Sequence, residues 1–267
     1  MIYSDYHIHT SFSGDCVFIP EQVVDSAIKK GLKEICITDH QDFGFIADDI
    51  LYEIDAHNYF KKIQEISFKS KNQIIIKTGI EMGLEPDKKD KIDSFLSSED
   101  FDFVIGSSHL INGFDPYYPD YFKGKSDEEA FLEYFESILR NLDVCNNFDV
   151  YGHLDYVVRY APNQHKFYSY NKFKDIIDNI LSKIISMNKG IEINSGSLRY
   201  GLPFPNPCVE IIKRYKELGG EIITIGSDAH NPKDISHSFN LINDILIDCG
   251  FKYYCNFTKR TPSFSKL

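Results

Sequence analysis

Positive charge, paired cysteines and long apolar runs are all scarce in this chain of 267 residues. Lysine and arginine number 29 against 40 aspartates and glutamates, for a formal net charge of −11. Binders of long nucleic acids carry a basic patch or a basic excess, so a nucleic-acid partner is not expected. A small phosphate ester remains open, because bound divalent ions reverse the sign of the local field. The six cysteines (Cys16, Cys36, Cys145, Cys208, Cys249 and Cys255) include no Cys-x-x-Cys pair. Scattered in this way they read as reduced core residues, not as a disulfide or zinc framework. Only Cys16 adjoins a candidate site residue, Asp15. No apolar run has the length of a membrane span, and no basic segment followed by an apolar one opens the chain. A cytoplasmic protein without a membrane partner is expected. No repeat or low-complexity linker divides the sequence, so residues 1–267 are expected to form one domain.

What the chain has is an alternation of short β-branched runs and helical periodicity. Strands are expected at 3–9, 34–38, 73–78, 101–106, 148–151, 191–194 and 222–226, with a last one at 251–256. Helices are expected at 20–30, 52–69, 87–97, 126–142, 171–188, 209–218 and 239–249. Pro20 suits a first helical turn, Ser126 with Glu129 makes a capping box, Asn171 reads as a cap, and Gly31, Gly190 and Gly219 read as stops. Residues 110–125 form a long loop rich in Tyr, Pro, Asp and Gly, and loops of that length inside a compact domain tend to be functional.

Strand–helix alternation implies a parallel sheet covered by helices. The polar residues distinguish a closed sheet from an open one. His7 and His9, His40, Glu81, His109, His153, Glu192 and Asp228 stand at the C-terminal ends of successive expected strands. In an open sheet they would spread along one edge and converge only near a switch point. In a closed barrel they converge on one mouth, where barrel enzymes carry their sites. The expected architecture is therefore an α/β fold, a (βα) barrel of about seven strands. His7 and His9 share one face of the first strand by period-2 alternation, and Asp15 follows on a Ser/Gly turn that can fold back over them. Imidazole and carboxylate donors suit zinc, iron or manganese, with zinc favoured by the number of imidazoles. Of the other histidines, His57 reads as a surface residue and His165 as a solvent-exposed loop residue, and His237 is assigned no role.

The set His7-Ile8-His9 with Asp15, Thr38-Asp39-His40, Gly79-Ile80-Glu81, Ser108-His109, Gly152-His153-Leu154-Asp155, Glu192-Ile193-Asn194 and Ser227-Asp228-Ala229-His230 resembles the PHP (polymerase and histidinol phosphatase) superfamily of metal-dependent phosphoesterases. The resemblance implies a distorted (β/α)7 TIM-like barrel and a site for three divalent metal ions. Carried over residue by residue, it implies one ion on His7, His9, Glu81 and Asp228. It implies a second on Glu81, His109 and His153, and a third on Asp15, His40 and His230. Asp15, Glu81, Asp228 and His230 are the candidate catalytic residues among them. Glu192 and Asn194 read as groups that orient the ligands, and Asp39 as one that orients His40 or pairs with backbone.

Such a site hydrolyses a phosphate monoester with a metal-bound hydroxide, since zinc lowers the pKa of its water to about 7. Arg159 and Arg199, each in a loop after a site-bearing strand, are candidate phosphate contacts. The proton donor to the leaving oxygen stays open between a metal-bound water and a carboxylate such as Asp42 or Asp155. Within the superfamily the length and plan resemble the stand-alone phosphatases of histidine biosynthesis, which implies L-histidinol phosphate as substrate. The acidic loop at Asp42, Asp48 and Asp49 would then meet the substrate's amine or imidazole. Two alternatives stay open: a phosphoesterase of nucleotides, oligonucleotide ends or phosphotyrosine, and a catalytically silent metal-binding barrel.

Overall fold

Apolar runs bounded by turn residues become the strands of a computed structural model that describes residues 1–267. In chain order they are β1 (Ser4–Asp5), β2 (Glu34–Ile37), β3 (His40–Gln41), β4 (Ile46–Ala47), β5 (Ile50–Leu51), β6 (Ile75–Gly83), β7 (Phe103–Ser107), β8 (Val150–Tyr151), β9 (Gly190–Asn194), β10 (Ile223–Gly226), β11 (Tyr253–Thr258) and β12 (Thr261–Lys266). The α-helices are α1 (Pro20–Lys29), α2 (Ala56–Ser70), α3 (Lys89–Leu96), α4 (Asp127–Val144), α5 (Lys174–Ser186), α6 (Val209–Glu217) and α7 (Phe239–Asp248).

Strands β1, β2, β6, β7, β8, β9 and β10 pair in that order, and β3 adds to β6. All of these pairings are parallel. The two edges then meet. Tyr6 N donates to Ile225 O at 2.9 Å, Asp228 N to His7 O at 2.8 Å and His9 N to Ala229 O at 3.0 Å. The result is the expected seven-stranded barrel, nearly closed. Strands β7 and β9 are buried along their whole length, as parallel strands covered on both faces are. Outside them, α1 buries Val23, Val24 and Ala27, and α6 buries Ile211, Ile212 and Tyr215. Each such Val or Ile contributes about 1.5–3 kcal/mol by leaving water. No helix is long and apolar enough to cross a membrane.

The N-terminal end of the barrel is plugged. Strands β11 and β12 form an antiparallel hairpin, and Cys255 and Phe257 join Tyr6, Cys36, Phe103, Ile105 and Val150 in an interior cluster. Tyr6 donates to Glu34 and accepts from Phe257 N at 2.8 Å, while Arg260 N donates to Asp102 O at 2.9 Å. The C-terminal strand ends, where the polar residues gather, are left open.

Several expected boundaries move. The first strand, expected over 3–9, pairs with β2 only at Ser4 and Asp5. Beyond that, side chains replace the ladder: Asp5 accepts from Ser227 N at 2.9 Å and Ser236 N at 2.8 Å, and Thr38 Oγ1 accepts from Ile8 N at 3.1 Å. The helix expected from 52 starts at Ala56, capped by Asp55, whose Oδ1 accepts from Asn58 N at 3.0 Å. Before it, β4 and β5 form a small hairpin across Asp48 and Asp49, whose φ values of 49° and 63° suit a two-residue turn twisted like the strands it joins. Asn171 does not cap α5; it lies in a 3₁₀ turn, Tyr170–Phe173, that leads into the helix. The expected final strand gains β12 as a partner, which the short polar run 261–266 did not announce. The capping box of α4 is present, with Glu129 N donating to Ser126 Oγ at 3.3 Å and Ser126 N to Glu129 Oε2 at 2.8 Å.

Candidate metal centre at the barrel mouth

Glu81, near the end of β6, is fully buried, and histidines from four other segments converge on it. Its Oε1 lies 3.1 Å from His109 Nε2 and 2.9 Å from His153 Nε2. Its Oε2 lies 2.9 Å from His7 Nε2, 3.2 Å from His40 Nδ1 and 3.5 Å from His9 Nε2. One carboxylate thus separates two groups of imidazoles, the placement a bridging ligand needs. Ser107 Oγ adds a hydrogen bond to Oε1 at 2.7 Å.

Asp228 stands just beyond β10 with a φ of 55°, a left-handed conformation that aspartate tolerates better than most residues. Its Oδ1 faces His9 Nε2 at 3.5 Å, His230 Nδ1 at 3.6 Å and His7 Nε2 at 3.8 Å. On the solvent side, Asp15 Oδ2 lies 3.1 Å from His230 Nε2 and 3.5 Å from His40 Nε2. The rings of His9 and His230 stack at 4.0 Å, and those of His9 and His40 at 4.3 Å. All nine residues expected as ligands are therefore brought together.

A second layer fixes the rings. His7 Nδ1 pairs with Glu192 Oε1 at 2.6 Å, and His109 Nδ1 with Asp42 Oδ1 at 2.9 Å. Ser13 spends its only proton on Asp39 Oδ1 at 2.8 Å, so its oxygen accepts from His9 Nδ1 at 3.0 Å. His9 Nε2 must then carry a lone pair, and it is buried with no hydrogen-bond partner. His40 Nδ1 and His153 Nδ1 are likewise buried and unpartnered. A desolvated lone pair on His9 and unpartnered ring nitrogens on His40 and His153, close to carboxylates, are what coordinated cations satisfy, so the donor set fits divalent metal ions. Close approach here depends on two glycines. A Cβ on Gly226 would lie 2.3 Å from His7 Cβ and from Glu192 Oε1, and one on Gly83 would overlap the Asp42 carboxylate.

The charges are strongly coupled. Burial disfavours protonation of His7, but the Glu192, Glu81 and Asp228 carboxylates outweigh it and raise its pKa well above the ordinary value. Burial also opposes His109, and Asp42 and Glu81 raise it. His40 reaches about 9, where Asp15 and Glu81 overcome burial. His9 goes the other way, lowered by burial and then by His230 and His40. Burial alone would raise Glu81, but His7, His109 and His40 hold it well below the carboxylate range. Protons on the histidines thus balance the acids here, and bound cations would displace them.

The remaining expected site residues separate. Arg159 lines the cleft, yet three of its five N–H groups are taken: Nε by Asn206 Oδ1 at 2.5 Å, Nη1 by Asp228 Oδ2 at 2.7 Å and Nη2 by Asn194 Oδ1 at 2.7 Å. Arg199 does not line the cleft. It donates to the carbonyls of Ser227 at 2.6 Å and Asp228 at 2.7 Å, and so braces the segment that carries Asp228. Asp42 lines the cleft, with its Oδ1 paired to His109 Nδ1 and its Oδ2 without a hydrogen bond. Asp155 is no candidate proton donor, since it accepts from Cys208 N and Tyr168 OH at 2.9 Å and from Asn206 in the core. Asp39 binds the turn at Thr10 and Ser13, not the His40 ring. Cys16 donates its thiol to His230 O at 3.3 Å.

The cleft above the cluster has a volume of about 340 Å³. Tyr52, Asp115, Tyr117, Tyr118, Tyr156, Tyr160 and Tyr200 line it, none of which the strand-end pattern marks. Asp115, Tyr117 and Tyr118 belong to the 110–125 loop, whose length and tyrosine content are a sequence signal; Tyr52, Tyr156, Tyr160 and Tyr200 have none.

Comparison with known proteins agrees with this geometry. Residues 5–196 match the PHP domain family. The chain is similar to histidinol-phosphatase of Lactococcus lactis subsp. lactis, at 36% identity over 95% of this chain and 94% of the relative. It is also similar to a probable histidinol-phosphatase of Clostridium acetobutylicum, at 34% identity over 93% of this chain and 94% of the relative. Among solved structures it resembles the histidinol phosphate phosphatase from Lactococcus lactis subsp. lactis complexed with zinc, L-histidinol and phosphate. That likeness has a TM-score of 0.88 and 32% identity, and covers 98% of each chain.

Proposed function

Because the chain belongs to the PHP domain family, we propose that it hydrolyses L-histidinol phosphate to L-histidinol and phosphate in histidine biosynthesis. The observation that carries this is an intact donor set facing one cleft, in a chain that shares 36% identity over 95% of its length with a histidinol-phosphatase. An intact set speaks against a silent barrel. Residues 1–267 are taken to act as one unit, because the barrel, its helices and the plugging hairpin share buried side chains. All six cysteines are free thiols, which suits a reducing cytoplasmic setting.

The donor groups suit three divalent ions, zinc first by the number of imidazoles. His7, His9, Glu81 and Asp228 would hold one. Glu81, His109 and His153 would hold a second, and Asp15, His40 and His230 a third. When bound, such ions offset the charge of the phosphate oxygens and lower the pKa of a coordinated water to about 7. The protein's own residues do the rest. Glu81 and Asp228 place negative charge between the imidazoles, Asp15 and His230 form the solvent-facing edge, and Asp42 and Glu192 hold His109 and His7 by Nδ1 so that Nε2 faces inward. Arg159 keeps two free N–H groups for phosphate. Arg199 is a positioning residue for Asp228.

The test is phosphate release from L-histidinol phosphate beside nucleotides, phosphotyrosine and sugar phosphates, with zinc, manganese and iron supplied separately. A kcat/KM of about 10⁴ M⁻¹s⁻¹ or more for L-histidinol phosphate, far above the others, is expected. Preference for a nucleotide or phosphotyrosine would overturn the substrate, and hydrolysis of none of them would overturn the enzyme.

A further inference from the structure

The β4–β5 hairpin leaves the barrel just after His40 and Asp42 and packs on the turn that carries Asp15. Asp42 N donates to Tyr52 O at 2.7 Å and Tyr52 N to Phe45 O at 3.0 Å, which closes its base. No residue from Gly44 to Tyr52 is buried, and Ile46 and Leu51 are 64% and 49% exposed, so the core does not anchor it. It touches the site at few points. A Cβ on Gly14 would lie 2.6 Å from Ile50 Cγ2 and 3.3 Å from Tyr52 Cε2, so these two side chains press on the backbone next to Asp15. The Tyr52 ring stands edge-on to His40, with centroids 5.9 Å apart. At the tip, Asp48 Oδ2 accepts from Tyr118 OH of the 110–125 loop at 3.4 Å.

The turn under the hairpin is held from the opposite side. Asp39 Oδ1 accepts from Ser13 N at 3.2 Å and from Ser13 Oγ at 2.8 Å, and Ser13 Oγ accepts from His40 N at 2.9 Å. The Cys16 thiol reaches His230 O at 3.3 Å. Asp15 is therefore gripped between the barrel and an element that the barrel does not bury. A ligand arm fixed in its binding geometry gives up an ion more slowly than a free one, because it need not be ordered again at each recapture. We propose that the β4–β5 hairpin is a clasp for a divalent cation at Asp15, His40 and His230: Ile50 and Tyr52, pressed on Gly14, hold Asp15 in place, and lifting the hairpin releases the ion. Gly14, Ile50 and Tyr52 are then positioning residues. This goes beyond the ligand assignment given above and rests on it.

The test is zinc release from the loaded enzyme into the chromogenic chelator 4-(2-pyridylazo)resorcinol, with elemental analysis fixing the starting stoichiometry. Gly14 has no positive φ, so Gly14→Ala fits the backbone and disturbs only the hairpin contact. It should speed release of the first zinc equivalent about 10-fold or more and leave the others at the wild-type rate. Gly14→Ala with Ile50→Ala removes the atom that the new Cβ meets and should restore most of the retention. The kcat/KM of Gly14→Ala for p-nitrophenyl phosphate should recover in excess zinc. Wild-type release in Gly14→Ala would overturn the clasp, as would equal acceleration of every equivalent. A double variant as leaky as Gly14→Ala would place the effect in the turn itself and also overturn it. Two zinc equivalents in the wild type would overturn the third ion, whereas three equivalents with unchanged release would overturn the clasp alone.

Discussion

Asp228 and Arg159 are joined at 2.7 Å through one carboxylate oxygen, Oδ2, while the other, Oδ1, faces His7, His9 and His230. Arg159 is 3% exposed, so this ion pair is buried. Removing one partner leaves an uncompensated charge, at a cost of about 3–5 kcal/mol. Asn194 and Asn206 would lose donors as well. Arg159→Ala should therefore lower unfolding stability in urea by about 3 kcal/mol or more, and raise KM for any phosphate ester. Arg159→Lys should restore much of the stability but not KM, because an ammonium cannot hold three acceptors and still offer a fork. Wild-type stability in the alanine variant would show that the pair carries no structural load.

Asp42 lines the cleft and should fail as a support for His109. Asp42 holds His109 Nδ1 at 2.9 Å and sets which ring nitrogen faces Glu81. Loss of such a partner typically costs about 10- to 100-fold in metal affinity or activity. Asp42→Asn should reduce kcat/KM equally for L-histidinol phosphate and p-nitrophenyl phosphate, and should lower retained metal measured by elemental analysis. A loss confined to L-histidinol phosphate would return Asp42 to the role of substrate contact.

The cleft residues show what a sequence carries and what it does not. The ligands themselves were legible, because His7, His40, Glu81, His109, His153 and Asp228 each stand at or just past the end of an apolar run that reads as a strand, and such runs stopping at polar residues are visible in the sequence. The barrel followed from them. Which carboxylate lies behind which imidazole was not legible, since that depends on β3 and β7 flanking β6 and on the space over Gly83. Arg199 looked like Arg159 for the same reason: both follow a site strand, and only three-dimensional placement shows one reaching the cleft and the other holding the carbonyls of Ser227 and Asp228. Asp115 was hidden in a loop with no periodicity at all. The first strand was overread because Asp5 and Thr38 side chains make bonds that a ladder would otherwise make.

The donor groups differ in exposure, which predicts an order of metal loss. His7, His9 and Glu81 side chains are 0% exposed, against 34% for Asp15 and 32% for His230. A chelator should therefore remove the ion proposed at Asp15, His40 and His230 first. Titration with EDTA, followed by elemental analysis of the recovered protein, should show a stage with one ion fewer before the rest are lost. Asp15→Ala should begin at that stage. Simultaneous loss of all ions would show that the sites do not differ in access.

Asp115 also has a thermodynamic signature. Burial raises its carboxyl from 3.8 to about 6, while His109 opposes the shift and Asp42 adds to it. Below about pH 3 the group is mostly protonated in both folded and unfolded chains. As pH rises toward 6, the unfolded chain releases its proton first, so this contribution to stability is lost. A shift of this size corresponds to about 3 kcal/mol at most, and partial solvent access reduces it to about 1–2 kcal/mol. In metal-free protein, Asp115→Asn should be more stable than wild type by about that amount at pH 8 and nearly equal to it at about pH 3, measured by urea unfolding at each pH. Were the variant less stable at pH 8, the Asp115 carboxylate would be contributing to the fold.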